Sequence, residues 1–259
     1  MNDTTASPPP TEFKLASYNI RKAIGTDRSR DPMRIIRVLA EVDADIVILQ
    51  EADRRFGQRD SALPAFLIDS HSGYKPVPLD VQLDSMGWHG NAILVRSDIG
   101  IDDHDIVHIP HLEPRGAVTA TLDFAGRDHA APGRTGRKLS VFGMHLDLSG
   151  LWRARQARAI SELARERMAE HPVVLAGDLN EWRSGSTCFR EFSRQFAILD
   201  CGRSFHSRRP VAKLDRIMHS DRLQMLECGV HHSSLASRAS DHLPVWARFR
   251  FTAGEAFSG

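Results

Sequence analysis

Cysteine is scarce in this chain of 259 residues, which holds only Cys188, Cys201 and Cys228. These form no Cys-x-x-Cys pair, and an odd number cannot all pair, so neither a disulfide framework nor a zinc cluster is favoured. No apolar run reaches the roughly 18 residues of a membrane span, so no transmembrane segment is expected. Bulk charge is lacking too. Lys and Arg total 34 against 33 Asp and Glu, a formal balance of +1. No global field marks the chain for nucleic acid or an anionic membrane; such a contact must come from a local patch. The start of the chain lacks the apolar core of a secretion signal and holds Pro8, Pro9 and Pro10, which reads as a disordered tail. The default expectation is a reduced, water-soluble, cytoplasmic protein with no obligate protein partner.

What is present looks globular. Hydrophobic residues make up 41% and charged residues 26%, which is ordinary usage. The length allows one large domain or two small ones. With no repeat, low-complexity block or interior linker, one domain over 13–252 is expected, between tails at 1–12 and 253–259.

Short apolar runs alternate with loops. Phe13–Ile20, Ile46–Gln50, Ala92–Arg96, Ala117–Phe124, Lys138–Met144, Val173–Ala176, Lys213–His219 and Val245–Phe251 read as strands. Lys138–Met144 is placed to pair with Ala117–Phe124 across a long exposed loop, Ala125–Arg137. Asp31 followed by Pro32 offers an N-cap and a first-turn proline, so Asp31–Val42 reads as a helix. Leu151–Glu170 is the longest helix, with Leu151, Ala154, Ile160, Leu163, Ala164 and Met168 at helical spacing and Pro172 just beyond. Many strands and few helices suggest two sheets packed face to face with helices outside.

Polar residues gather at the ends of these strands: Asn19, Glu51, His145, and Asp178 with Asn180. Asp215 lies within Lys213–His219, and Asp241-His242 stands just before Leu243-Pro244-Val245. A strand end is both rigidly supported and open to solvent, as a site requires. Each residue alone has a plainer reading. Asp178 or Asn19 would be a turn former or helix cap, Glu51 a solvated loop acid near Arg54 and Arg55, and His242 a satisfied partly buried ring.

Their combination changes that reading. Ser17-Tyr18-Asn19, Leu49-Gln50-Glu51, Gly177-Asp178-Leu179-Asn180, Leu214-Asp215-Arg216 and Ser240-Asp241-His242-Leu243-Pro244 occur in this order. From about Lys14 to Phe251 the sequence resembles the endonuclease/exonuclease/phosphatase superfamily of metal-dependent phosphoesterases. The resemblance implies an α/β fold: a four-layer α/β sandwich of two central, mostly antiparallel sheets with helices outside and the site at one end. It also implies Glu51 as the leading metal ligand, with Asn19 and Asp241 in the same shell. Asp178 would orient or deprotonate the attacking water, and Asn180 would hold that water and a phosphate oxygen. Asp215 would pair with His242, which acts as base or phosphate contact, while His145 contacts the phosphate or protonates the leaving group. Which group is the base stays open between these residues.

The chemistry fits those residue types. A phosphodiester is anionic and resists water, so positive charge and an in-line nucleophile must be supplied. Oxygen ligands suit Mg²⁺, or Mn²⁺. If two carboxylates converge to about 4 Å, they repel by roughly 4 kcal/mol at an effective dielectric near 20, which a cation relieves. Arg115, in Glu113-Pro114-Arg115-Gly116, would grip a phosphate oxygen or else pair with Glu113. Asn91 resembles a position lining the family's site.

Two features depart from the DNA-cutting relatives. An acidic residue two positions after the first asparagine is here Arg21, followed by Lys22, which favours a single principal ion and leaves Arg21 to attract a phosphate or anionic head group. His145 stands where abasic-site endonucleases tend to have tyrosine, which turns the reading from DNA repair toward a generic bacterial branch. Arg153, Arg155 and Arg158, with Arg134, Arg137 and Lys138 on the preceding loop, would form either a nucleic-acid contact or a solvated helix face, in a field that Glu162 and Glu166 soften. Trp152 and Trp182 belong to the core or to a membrane surface, and His231 and His232 to a surface turn. The substrate expected is a phosphate ester, either nucleic acid or a phospholipid-type or small phosphodiester. The alternative is a catalytically silent module on the same fold that recognises phosphate.

Overall fold

A computed structural model describes residues 12–53, 61–79, 86–113, 115–127 and 136–252. The chain opens with β1 (Glu12–Asn19), α1 (Pro32–Val42), β2 (Ile46–Gln50), α2 (Ala65–His71), β3 (Tyr74–Pro76) and β4 (Ala92–Arg96). It continues through β5 (Gly100–Val107), β6 (Ala117–Asp123), β7 (Lys138–His145), α3 (Gly150–Met168) and β8 (Val173–Asp178). It closes with α4 (Thr187–Phe192), β9 (Ala197–Ile198), β10 (Asp215–His219), β11 (Leu223–Val230), α5 (Ala236–Ala239) and β12 (Val245–Phe251).

The strands form two six-stranded sheets, ordered β11-β12-β1-β2-β4-β3 and β5-β6-β7-β8-β10-β9. Each contains one parallel pair joined by a crossover helix: β1 and β2 through α1, and β7 and β8 through α3. The other neighbours are antiparallel. This is the α/β sandwich that the motifs implied. Because side chains alternate across a strand, the central strands serve two cores. Leu15, Ile46, Ile48 and Ile93 meet Val118, Val141, Val174 and Ile217 between the sheets. Ala16, Tyr18, Val47 and Leu49 pack outward with Ile35, Ile36 and Leu39 of α1. Phe142, Met144 and Leu175 pack outward with Ala157 and Ile160 of α3 and Phe192 of α4. With both faces covered, β2 and β8 read as continuous apolar runs instead of alternating ones.

Helix α1 starts where its sequence dictates. The Asp31 carboxylate accepts a hydrogen bond from the Arg34 N–H at 3.1 Å, and Pro32 occupies the first turn. In α3 the expected apolar stripe is only partly the buried face. Arg153, Gln156 and Ser161 are buried with Ala157, Ile160 and Ala164, whereas Leu151 is exposed. The turn is held instead by Arg153, which donates to Glu181 at 3.1 Å and to the carbonyls of Asp147 and Leu148. Arg153 therefore does not belong to the solvated basic face expected of it.

Edge strands β5 and β11 were not legible. Asp102, Asp103 and Asp105 break the apolar pattern of β5, and a register shift between Met225 and Glu227 interrupts β11. Charges and bulges at sheet edges discourage edge-to-edge pairing. Most of the expected loop Ala125–Arg137, and both expected tails except Glu12, lie outside the described residues. Among the described residues no helix is long and apolar enough to cross a membrane, and the three cysteines are free thiols.

Gly143 sets the approach of the two sheets, because a Cβ there would stand 2.8 Å from Ile48 Cγ2. Gly143→Ala should lower the unfolding free energy by about 1–3 kcal/mol, as overpacked cores do. Urea unfolding measures this, and an unchanged midpoint would contradict so close an apposition.

Candidate active site

The parallel pairs bring their carboxyl ends to one end of the sandwich, the position where ligands bind in open α/β sheets. Asn19 lies beside Gln50 across β1 and β2, and His145 beside Asp178 across β7 and β8. Asp215 sits opposite Asp178 on β10. Gly177 makes the juncture possible: a Cβ there would fall 1.8 Å from the Met144 carbonyl oxygen. The chain then turns sharply, with Asn180 at φ 49°.

Asp178 is the hub. Its carboxylate accepts from Asn19 Nδ2 at 3.0 Å and from the Asn180 backbone N–H at 2.9 Å. His145 Nε2 stands 3.4 Å away and His242 Nε2 3.7 Å away. Burial would raise the pKa of this carboxyl. The His242 charge, the contact with His145 and the Asn180 N–H outweigh it and hold Asp178 well below the usual carboxylate range.

His242 forms the second unit. Its Nδ1 lies 2.9 Å from Asp215 Oδ2, which also accepts from Ser204 Oγ. Burial opposes charge on the ring, but Asp215 and Asp178 outweigh it and push the pKa up to about 10. Asp178, Asp215 and His242 each offer a ligand atom, all within 4.8 Å of one another. Asp215 already engages Nδ1 of the ring, so we read the three as a carboxylate–imidazole unit that holds a proton.

On the other flank, Arg115 is buried and its guanidinium meets His145 Nε2. It also donates to Glu113 at 3.2 Å and to the Leu146 carbonyl at 3.2 Å. The two readings of Arg115 thus coexist, since it pairs with Glu113 and faces the site through His145. Asn180 Nδ2 donates to the Leu146 carbonyl at 2.9 Å. Asn91 is buried and donates to the Gly116 carbonyl at 3.0 Å, while its Oδ1 has no partner.

The expected metal carboxylates lie beside this hub, each in contact with a basic side chain. Glu51 pairs with Lys22 Nζ, and Asp241 lies 3.4 Å from Arg21 Nε. Arg21, Lys22 and Glu51 all adopt left-handed backbone, with φ of 48°, 56° and 52°. The Lys22 N–H donates to the Glu51 carbonyl at 3.0 Å. Strained backbone of this kind persists only where its surroundings over-determine it. Both carboxylates are hard, half-buried oxygen donors that already attract positive charge, the donor chemistry that a divalent cation takes. Asn19 spends its Nδ2 on Asp178, while its Oδ1 accepts the Arg21 N–H at 3.1 Å.

The structure therefore brings together Asn19, His145, Asp178, Asn180, Asp215, His242 and Arg115, with Glu51, Asp241 and Arg21 on the adjoining rim. His231 is elsewhere, bonded to Glu41 at 2.8 Å. Sequence reasoning missed three supports. Ser204 holds Asp215, Ser240 Oγ donates to the Asn19 carbonyl at 2.7 Å, and the Phe205 ring packs 4.9 Å from His242. Ser240 stood inside a quoted motif; Ser204 and Phe205 carried no local signal.

This fold and this convergence define a class, and comparison with known proteins agrees. The model of the Endonuclease/Exonuclease/phosphatase family matches residues 16–242, so the chain belongs to that family. Its members are generally hydrolases that act on phosphoester bonds and use divalent metals. Uncharacterized protein YbhP of Escherichia coli K12 is 32% identical over 180 residues, 66% of this chain and 68% of YbhP. An endonuclease/exonuclease/phosphatase from Bacteroides vulgatus superposes with a TM-score of 0.72 at 18% identity, covering 93% of this chain and all of that one. The human Nocturnin catalytic domain with bound sulfate anion gives 0.68 at 18% identity, over 93% of this chain and 95% of that one. D. rerio TDP2 complexed with single strand DNA product gives 0.67 at 16%, over 92% and 99%. The likeness to these solved structures shows the fold alone.

In the metal-free protein the His242 ring should titrate near 10, and Asp215→Asn should move that midpoint down. Because the folded pKa is raised above the ordinary 6.5, the charge contributes stability fully below about pH 6.5, and this is lost as pH rises toward 10. Proton NMR of the ring measures the midpoint; an ordinary value in the wild type would contradict the pairing.

Proposed function

We propose that this protein is a divalent-metal-dependent phosphodiesterase that cleaves its substrate by in-line attack of water. The observation that carries the reading is Asp178, an ionised buried carboxylate fixed by Asn19 and Asn180 between two imidazoles. In this reading Asp178 orients the attacking water and draws its proton as the oxygen–phosphorus bond forms. Asn180 holds that water against a phosphate oxygen. His242, kept charged by Asp215, donates to another phosphate oxygen. His145, with Arg115 behind it, faces the phosphate and delivers a proton to the departing oxygen as its bond to phosphorus breaks. An ion held by Glu51 and Asp241 would supply Lewis-acid charge neutralisation at the phosphate.

Nucleic acid and small or phospholipid-type phosphodiesters both suit this site, and the DNA product held by TDP2 and the sulfate held by Nocturnin support an anionic occupant. The unpaired thiols suit the reducing cytoplasm. A silent phosphate-binding module is the second reading, favoured by the one observation that Lys22 and Arg21 lie against the metal carboxylates.

Bis-p-nitrophenyl phosphate separates the two. Hydrolysis should appear with Mg²⁺ or Mn²⁺, vanish with chelator, and fall at least about 10²-fold in both Glu51→Ala and His242→Ala. No turnover with either ion would favour the silent module, and unchanged turnover in one variant would remove the role given to that residue.

A further inference from the structure

Large apolar side chains exposed to water normally stand singly on a monomer. Here they cluster. Of the seven exposed large hydrophobics among the described residues, four stand on loops that flank the site, Leu112, Leu148, Trp182 and Val211, and a fifth, Leu151, on the first turn of α3. Short links join them to one another and, through Phe205, to His242. The Leu112 N–H donates to Asp147 Oδ2 at 3.1 Å, and Leu148 follows Asp147 directly. Leu151 adjoins Gly150, which lines a cleft of about 720 Å³ together with Trp182. The Trp182 ring meets Phe205 edge-on at 6.0 Å, and Phe205 packs against His242. The Val211 N–H donates to the Phe205 carbonyl at 2.7 Å. Only Phe66 on α2 and Met225 on β11 lie apart.

Charge follows the same boundary. The stretches 111–115, 147–155, 181–190 and 203–211 contain eight arginines, of which Arg115 and Arg153 are buried, and three acids, in a chain whose total is +1. All three acids are engaged: Glu113 with Arg115, Asp147 with backbone N–H groups, and Glu181 with Arg153. Arg183 and Arg190 line the cleft and are exposed. Arg155 lies over the Trp152 ring at 5.0 Å. The local patch that the overall charge could not reveal is thus an apolar rim set among arginines.

We propose that this rim docks onto an anionic lipid bilayer, holding the strand-end site against phosphodiesters at the membrane surface. Aliphatic and tryptophan side chains on separate loops suit the boundary between head groups and acyl chains, and arginines suit anionic head groups. Nucleic acid is the poorer match. Four of the five side chains are aliphatic and offer bases no aromatic platform. The docking stands on the rim itself; only the consequence that the substrate is a lipid head group rests on the hydrolytic reading above.

Cosedimentation of the full chain with vesicles, in chelator, tests the docking without any turnover. Wild type should pellet with equimolar phosphatidylcholine–phosphatidylglycerol vesicles, bind pure phosphatidylcholine more weakly, and be released by salt. L148S/L151S should weaken binding by at least about tenfold, with melting temperature and turnover of a soluble ester unchanged, and W182A should weaken binding likewise. A wild type that stays in the supernatant with both vesicles would overturn the proposal, as would variants that pellet like wild type. Binding of single-stranded DNA that is lost in L148S/L151S, without vesicle binding, would assign the rim to nucleic acid and overturn it as well.

Discussion

A carboxylate buried where two sheets meet cannot stand ionised unless positive charge and hydrogen-bond donors reach it. Asp178 is in that position, and the candidate site is organised around meeting its needs. Asn19 crosses from the other sheet to donate to it, the Asn180 turn supplies a backbone N–H, and two imidazoles stand at its outer face. The same interactions fix the direction of the open coordination around its oxygen. Stability and chemistry therefore make the same demand on one side chain.

The two strand–helix–strand units explain how distant residues reach this point. Each unit ends its parallel strands at the same end of the sandwich, and the close contact of β7 with β8 at Gly177 brings His145 and Asp178 together. The last strand, β12, returns to pair with β1 across almost the whole chain, so that Asp241 and His242 arrive beside Asn19. Ser240 locks that arrival by donating to the Asn19 carbonyl. A site of this kind forms only once the long-range pairing is complete.

Much of this was legible in the sequence. The fully apolar runs Ile46–Gln50 and Val173–Ala176 announced strands covered on both faces, and the Asp31-Pro32 cap announced α1. The motif residues Asn19, Asp178, Asp215 and His242 were legible because each sits at or near a strand end whose strand was itself legible. What stayed hidden depends on tertiary partners. The acids of β5 disguise an edge strand. Leu151 fits a helical stripe, yet the helix turns it outward because Arg153 is drawn inward to Glu181. The pairing of Lys22 with Glu51 rests on a run of left-handed backbone that no local residue type demands. The apolar rim is equally invisible in one dimension, since its members lie on four separate stretches of chain.

The account makes the hub a proton-holding unit and places the cation with Glu51. Anomalous diffraction at the manganese edge, from crystals grown with Mn²⁺, separates these assignments directly. The account predicts a peak at the Glu51 carboxylate, with Lys22 displaced and the Asp215–His242 hydrogen bond intact. A peak enclosed by Asp178, Asp215 and His242, or no peak at the Glu51 carboxylate, would contradict it.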